Sequence, residues 1–313
     1  MISRMLSRAV ASFAVIFGAV TLIFAILNWL PGDPATLIAG EAASPETIAH
    51  LRAQLDLERP LAERYVHYIA GLAHGDLGRS YITREPVASR LAAQLPATAT
   101  LALSAAAVAL VLGLSLGVLA ARYNGRWPDQ LIQLVSLTFV SVPPFWIGLL
   151  AILLFSVRLG WLPVLGTGGI ESLVMPVGSL GLLLSVSLQR VVRSSIIEEL
   201  REPYVTALRA KGLRTPRIFY VHVLRNALIA AITLLGVLIG ELLSGAVVIE
   251  TLFARQGIAR VAVEAIGQKD LPVVQGVIIL ASATYVGLNL LIDLSYQLID
   301  PRLAAHGGYG AAR

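Results

Sequence analysis

A chain of 313 residues with 57% hydrophobic and 14% charged residues has too little polar surface to cover a water-facing globule, where charges run near a quarter. A mean hydropathy of +0.78 points to lipid and argues against a soluble enzyme. The absence of cysteine excludes disulfides, thiolate metal sites and cysteine nucleophiles, while the net charge of +5 leaves a nucleic-acid partner open until the arginines are placed.

Six apolar runs approach the roughly 20 residues needed to cross about 30 Å of hydrocarbon. In chain order they are Ala9 to Leu30, Ala97 to Ala121, Leu131 to Val157, Leu173 to Leu188, Ala227 to Ile249 and Val273 to Ile299. Backbone polar groups find no water in the bilayer core, so each run is expected to be a helix. Arg4 and Arg8 ahead of the first run resemble a secretory leader. The run is too long for one and no small-residue cleavage site follows, so a retained helix is expected. With the N-terminus cytoplasmic, the inside segments carry fourteen Arg and Lys residues, against four in the short outside loops (Arg158, Arg255, Arg260, Lys269). Both termini are therefore expected inside, and the basic excess tracks membrane topology rather than a nucleic-acid groove.

Two polar insertions interrupt the runs. In residues 31–96, expected outside, Ser44-Pro45-Glu46 predicts a helix start with Ser as N-cap, leading into Ile48, Leu51 and Leu55. A second helix is predicted from Pro60 through Tyr65, Ile69 and Leu72 to Gly75. They form either a passive collar or a surface that receives a substrate-delivering partner. The second insertion, residues 190–225, is expected in the cytoplasm. Glu202-Pro203 predicts a helix start, Gly212 its stop, and Thr215-Pro216 the cap of a helix running into the fifth span. Val205, Leu208 and Leu213 form an apolar stripe available to a partner's groove. On these residues alone, a solvated basic loop that only sets topology is an equal reading.

Chemistry is sparse. The two lysines, Lys211 and Lys269, do not fit a phosphate-binding P-loop, the five histidines form no metal-binding pair, and Val177-Gly178-Ser179-Leu180-Gly181 lacks the first glycine of a nucleophile elbow. The chain is therefore not expected to be an enzyme. Glu241 is the one acidic residue deep in the first five runs, and a carboxyl hydrogen-bonded between helices explains it better than a proton relay. With Ser244 and Gly245 it forms the most polar face of the fifth run, near a pathway or in a close helix contact.

A set of short stretches, in order across nearly the whole chain, carries more than composition. They are Leu30-Pro31-Gly32-Asp33-Pro34-Ala35, Gly75-Asp76-Leu77-Gly78-Arg79-Ser80, Val142-Pro143-Pro144-Phe145-Trp146, Trp161-Leu162-Pro163, Arg201-Glu202-Pro203-Tyr204-Val205 through Ala210-Lys211-Gly212-Leu213, His222-Val223-Leu224-Arg225-Asn226-Ala227, Val248-Ile249-Glu250-Thr251-Leu252-Phe253 and Asp300-Pro301-Arg302. In these the chain resembles the inner-membrane permease subunit of ATP-binding-cassette importers, in the dipeptide/oligopeptide/nickel group and its B-type subunit. The resemblance implies an all-α polytopic protein with six transmembrane helices and the type I importer permease fold. It divides the chain into a first helix (1–30), an outer helical insertion (31–96), a five-helix core (97–299) with the coupling loop at 190–225, and a cytoplasmic tail (300–313). It also implies that the loop holds the EAA-type coupling helix, with Thr206, Ala207, Arg209, Ala210, Lys211 and Gly212 meeting an ATPase subunit, and it sets Glu241, Ser244 and Gly245 near the translocation pathway.

ATP and Mg are then expected on separate ATPase partners, with no cofactor in this chain, alongside a second homologous permease and an extracytoplasmic binding protein, all at a bacterial inner membrane. Short peptides are the expected substrate, metal chelates such as nickel or glutathione-like compounds the alternatives, and a stand-alone transporter or channel the reading from another class. Thr206, Leu208, Pro203, Ala230, Gln256 and Ala259 depart from the residues usual at those positions of the family.

Overall fold

Apolar runs that cannot expose their backbone fold as helices, and the computed structural model, which describes residues 2–29, 33–40, 43–164 and 169–299, is helical throughout its regular elements apart from one bridge between Arg79 and Pro86. The side chains of residues 2–9, 37, 241, 243–246 and 292–299 lie outside that description. The order is α1 (Ile2–Trp29), α2 (Pro34–Ala39), α3 (Pro45–Gln54), α4 (Leu61–Ala73), α5 (Val87–Arg122), α6 (Trp127–Ser141) and α7 (Pro144–Ala151), which continues as a π segment (Ile152–Arg158). Then come α8 (Glu171–Glu199), α9 (Pro203–Ala210), α10 (Thr215–Arg217) running through a second π segment (Ile218–Val223) into α11 (Leu224–Leu252), α12 (Ile258–Gly267) and α13 (Leu271–Ile299). Among the described residues five helices are long and apolar enough to cross a membrane, and α6 with α7 makes a sixth if that pair is one span.

Several boundaries differ from the sequence reading, the second run among them, since α5 opens at Val87 rather than Ala97 and holds Pro96 inside it. The third run is not one helix: α6 and α7 meet at 101°, at Val142-Pro143-Pro144. Two successive prolines remove two backbone donors and push the preceding residues out of the helical region. The fourth run does not stop at Leu188, because α8 extends to Glu199 and carries Arg190 and Arg193 on its last turns. The fifth continues past Ile249 to Leu252, so α11 also carries Glu250, which is buried.

The chain divides into two compact units. The first comprises Met1–Thr98 and Gln256–Val286. The Ser44 hydroxyl accepts from the Thr47 N–H and Pro45 opens α3, as expected, yet α3 buries none of its side chains, so its caps rather than a buried face define it. Asp33 caps α2 by accepting from the Ala35 N–H and pairs with Arg52 of α3 at 2.7 Å. The Phe24 ring of α1 packs on Tyr65 and Tyr68 of α4, with centroids at 5.2 and 5.5 Å. Burial pushes the Tyr68 phenol upward, so it stays protonated. Further along, Asp270 is completely buried and accepts from the Ser80 hydroxyl and the Tyr81 N–H, with Arg90 of α5 at 3.7 Å. These bonds fasten the turn after α4 to the corner between α12 and α13. Around it Val87, Leu91, Val261, Val273 and Val277 form the apolar core.

The second unit comprises Ala99–Arg255 and Gly287–Arg313, with α8 at its centre. In the most apolar window of α8, 56% of residues are buried, against 17% in α1, which leaves most of α1 to lipid or other chains. Packing between α5 and α8 runs through glycine: a Cβ on Gly113 would lie 2.8 Å from Leu188, and one on Gly181 2.6 Å from Val108. Inside this apolar contact, the Ser136 hydroxyl of α6 donates to Gln189 Oε1 of α8 at 3.0 Å, both side chains being buried.

Candidate coupling face and pathway helix

The segment between α8 and α11 is built from local signals. Glu202 precedes Pro203 at the first position of α9, where the missing proline N–H costs nothing. At its far end the Gly212 N–H donates to the Arg209 carbonyl at 2.9 Å and the Leu213 N–H to the Leu208 carbonyl at 3.2 Å. With Gly212 at φ +81, this paired closure is the left-handed stop for which glycine is the least strained residue. Thr215 lies inside α10 and Arg214 occupies the cap position, without a side-chain bond, so the Thr-Pro cap is displaced by one residue.

The apolar stripe packs on the chain's own core. Val205 is 1% exposed and packs with Ile196, Ile218, Phe219 and Val223, while Leu208 and Leu213 lie against the same cluster. Burying them on the chain's own core is the nearer use of apolar surface. The opposite face is therefore the one presented: Thr206, Ala207, Arg209, Ala210, Lys211 and Gly212 are all exposed. Local signals define the helix and its limits, whereas its phase depends on neighbours distant in the chain.

Three polar contacts hold the surrounding frame. Arg193 of α8 donates to both Asp129 carboxylate oxygens at 2.7 Å and to Asn124 Oδ1 at 3.1 Å, and the Gly125 N–H donates to Asp129 at 2.9 Å, which fixes the α5–α6 turn on α8. Arg122 lies 6.0 Å from the ring centres of Phe219 and Tyr220 in the π segment. The third contact joins three helices: the Tyr204 hydroxyl donates to Glu199 Oε1 at 2.7 Å, and Asn226 Nδ2 donates to the same oxygen at 2.7 Å. Burial, and after it the Glu199 bond, pushes the Tyr204 phenol up to about 12, so it remains a donor. None of these three pairings was readable beforehand, since their partners lie from 5 residues apart (Glu199 and Tyr204) to 69 (Asn124 and Arg193) and beyond (Arg122 and Tyr220), without a periodic signal.

Glu241, Ser244 and Gly245 lie on α11, and their side chains are outside the described residues. Glu250 is the carboxylate on α11 that the sequence reading placed beyond the fifth run. Among the described residues no three His, Asp or Glu side chains come together as metal ligands.

Residues 113–305 match the family of binding-protein-dependent transport system inner membrane components, and residues 1–102 match the N-terminal family of the same transport components. The chain belongs to this family of ABC importer permeases. A peptide transport system permease protein of Brucella suis biovar 1 (strain 1330) is 38% identical to the permease over 97% of this chain and 99% of that one. The glutathione transport system permease protein GsiC of Escherichia coli (strain K12) is 35% identical over 97% and 99%. Among solved structures, a chain of the MetNI methionine ABC transporter in inward facing conformations aligns with a TM-score of 0.58 at 17% identity, covering 69% of the permease and 99% of that chain. That likeness bears on the fold, which is helical in its regular elements among the described residues.

Proposed function

We propose that the permease is the membrane-spanning subunit of an ATP-driven importer of short peptides, and that the exposed face of α9 docks on an ATPase subunit. The observation that carries this reading is the exposed set Thr206, Ala207, Arg209 and Ala210 on a short helix, with Lys211 and Gly212 exposed at its stop, while the other face of that helix is buried against α8 and α11. A helix anchored on one face and open on the other transmits force without being displaced from its own chain. Peptide substrates are supported by the relatives' names, one for peptides and one for glutathione, itself a small peptide.

In this reading the Arg and Lys bias sets both termini in the cytoplasm of a bacterial inner membrane, and residues 31–96 face a delivering binding protein outside. A second, homologous permease completes the pathway, near Glu241, Ser244 and Gly245. ATP and Mg act on the ATPase partners. ATP closes the ATPase pair, the closure moves α9, and the bundle passes from inward to outward access. ATP can bias that equilibrium only by the difference in contact free energy between the two states.

The test is uptake by the assembled importer carrying Arg209→Glu or Gly212→Pro. Arg209→Glu reverses a charge on the exposed face without touching the core, while Gly212→Pro cannot adopt φ +81 and loses the N–H that closes α9. Each is expected to lower uptake by about tenfold or more and to reduce recovery of the ATPase with the purified permease. Normal uptake by both variants would overturn the docking assignment.

A further inference from the structure

The contact between Tyr204, Glu199 and Asn226 has a geometry that core packing alone does not require. Glu199 is the last residue of α8, Tyr204 is the second of α9 and Asn226 is the third of α11. Both donors converge on one oxygen, Glu199 Oε1, at 2.7 Å, and Asn226 Nδ2 also reaches the Tyr204 hydroxyl at 3.4 Å. Among the described residues of α9, Tyr204 alone makes a side-chain hydrogen bond, and the helix start at Glu202 has no side-chain cap. Apolar packing through Val205 is non-directional and lets a short helix slide or roll on its neighbours. A charge-assisted hydrogen bond fixes direction and distance as well. The polar triangle therefore sets where α9 stands relative to the ends of both long helices.

We propose that Tyr204, Glu199 and Asn226 form a transmission joint: positioning residues, touching neither ATPase nor substrate, that deliver a displacement of α9 to α8 and α11 together. The joint rests on the reading of α9 as the ATPase-docking helix. Without it α9 remains docked and folded, but its motion is absorbed by slip against Val205 and Leu208. ATP hydrolysis then continues while fewer substrates cross. This signature differs from that of Arg209→Glu, which loses the ATPase itself.

The experiment uses the complete importer in lipid vesicles with its binding protein and measures ATP hydrolysed per peptide taken up, together with subunit recovery and thermal midpoint. Tyr204→Phe keeps the ring and removes the donor, and is expected to raise the ATP consumed per peptide by about tenfold, the scale of one hydrogen bond to a charged group. Glu199→Ala should match it. Glu199→Gln retains an acceptor oxygen and should restore part of the coupling. Wild-type coupling ratios in Tyr204→Phe and Glu199→Ala, or coupling lost only in proportion to lost assembly, would overturn the joint while leaving ATPase docking intact. A wild-type permease that neither binds nor stimulates an ATPase would remove the docking reading, and the joint with it.

Discussion

Replacing Arg193 by Met is expected to destabilise the permease by about 3 kcal/mol. The Asp129 side chain is 4% exposed and relies on Arg193 for two bonds of 2.7 Å, so the substitution strands a buried carboxylate. The remaining Gly125 N–H supplies one hydrogen bond and no opposite charge. Arg193 itself is 26% exposed, which places the figure at the lower end of the range for broken buried pairs. Removing both charges together, as Asp129→Leu with Arg193→Met, is expected to restore most of the loss, because no uncompensated charge is left behind. Thermal unfolding of the detergent-solubilised protein, followed by loss of the monodisperse peak, gives the ranking. A double variant as unstable as Arg193→Met would show that the pair does not act through charge.

Gly117→Val is expected to cost a similar amount, about 3 kcal/mol, by the opposite mechanism of too much matter in too little space. A Cβ at this position would lie 2.7 Å from Val192 Cβ and 2.9 Å from the Gln189 carbonyl oxygen. Backbone cannot rotate away as a side-chain tip does, so α5 and α8 must separate, and the buried bond between Gln189 and Ser136 is disturbed with them. Gly148 is the control. A Cβ there meets first the Cδ2 atom at the end of Leu252, which can adopt another rotamer. Gly148→Ala is therefore expected to stay within about 1 kcal/mol of the parent, helped by the better helix propensity of alanine. Equal thermal midpoints for Gly117→Val and Gly148→Ala would refute the close-approach argument.

The residues that announced the fold are those whose signal is local. Ser44 with Pro45, Glu202 with Pro203, and Gly212 each fix a helix end through bonds within a few residues, and each lies where the sequence implied. Hydropathy located the lipid but not the helix ends: Arg190 and Arg193 mark where α8 leaves the apolar zone, while the helix itself continues to Glu199. The break at Pro143-Pro144 was visible as two prolines, yet an unbroken apolar run on both sides outweighed it. Left-handed helix stops at Asp56, Ala254 and Lys269 have no glycine to announce them. For the candidate site, the exposed row on α9 was legible from resemblance, whereas the phase of Val205 and the Glu199–Tyr204–Asn226 contact depend on how three helices pack.

The π segment at Ile218–Val223 gives this region an unequal tolerance to changes in length. A wide turn accommodates one residue more than an α-helical turn, so a residue lost there can be absorbed by tightening the turn, with the faces before and after it still aligned. The same loss within α8 has no slack to draw on and rotates everything beyond it by about 100°, carrying Glu199 away from Tyr204. Among descendants of a common ancestor, single-residue gaps should therefore accumulate in 218–223 and be purged from the α-helical turns leading to Glu199.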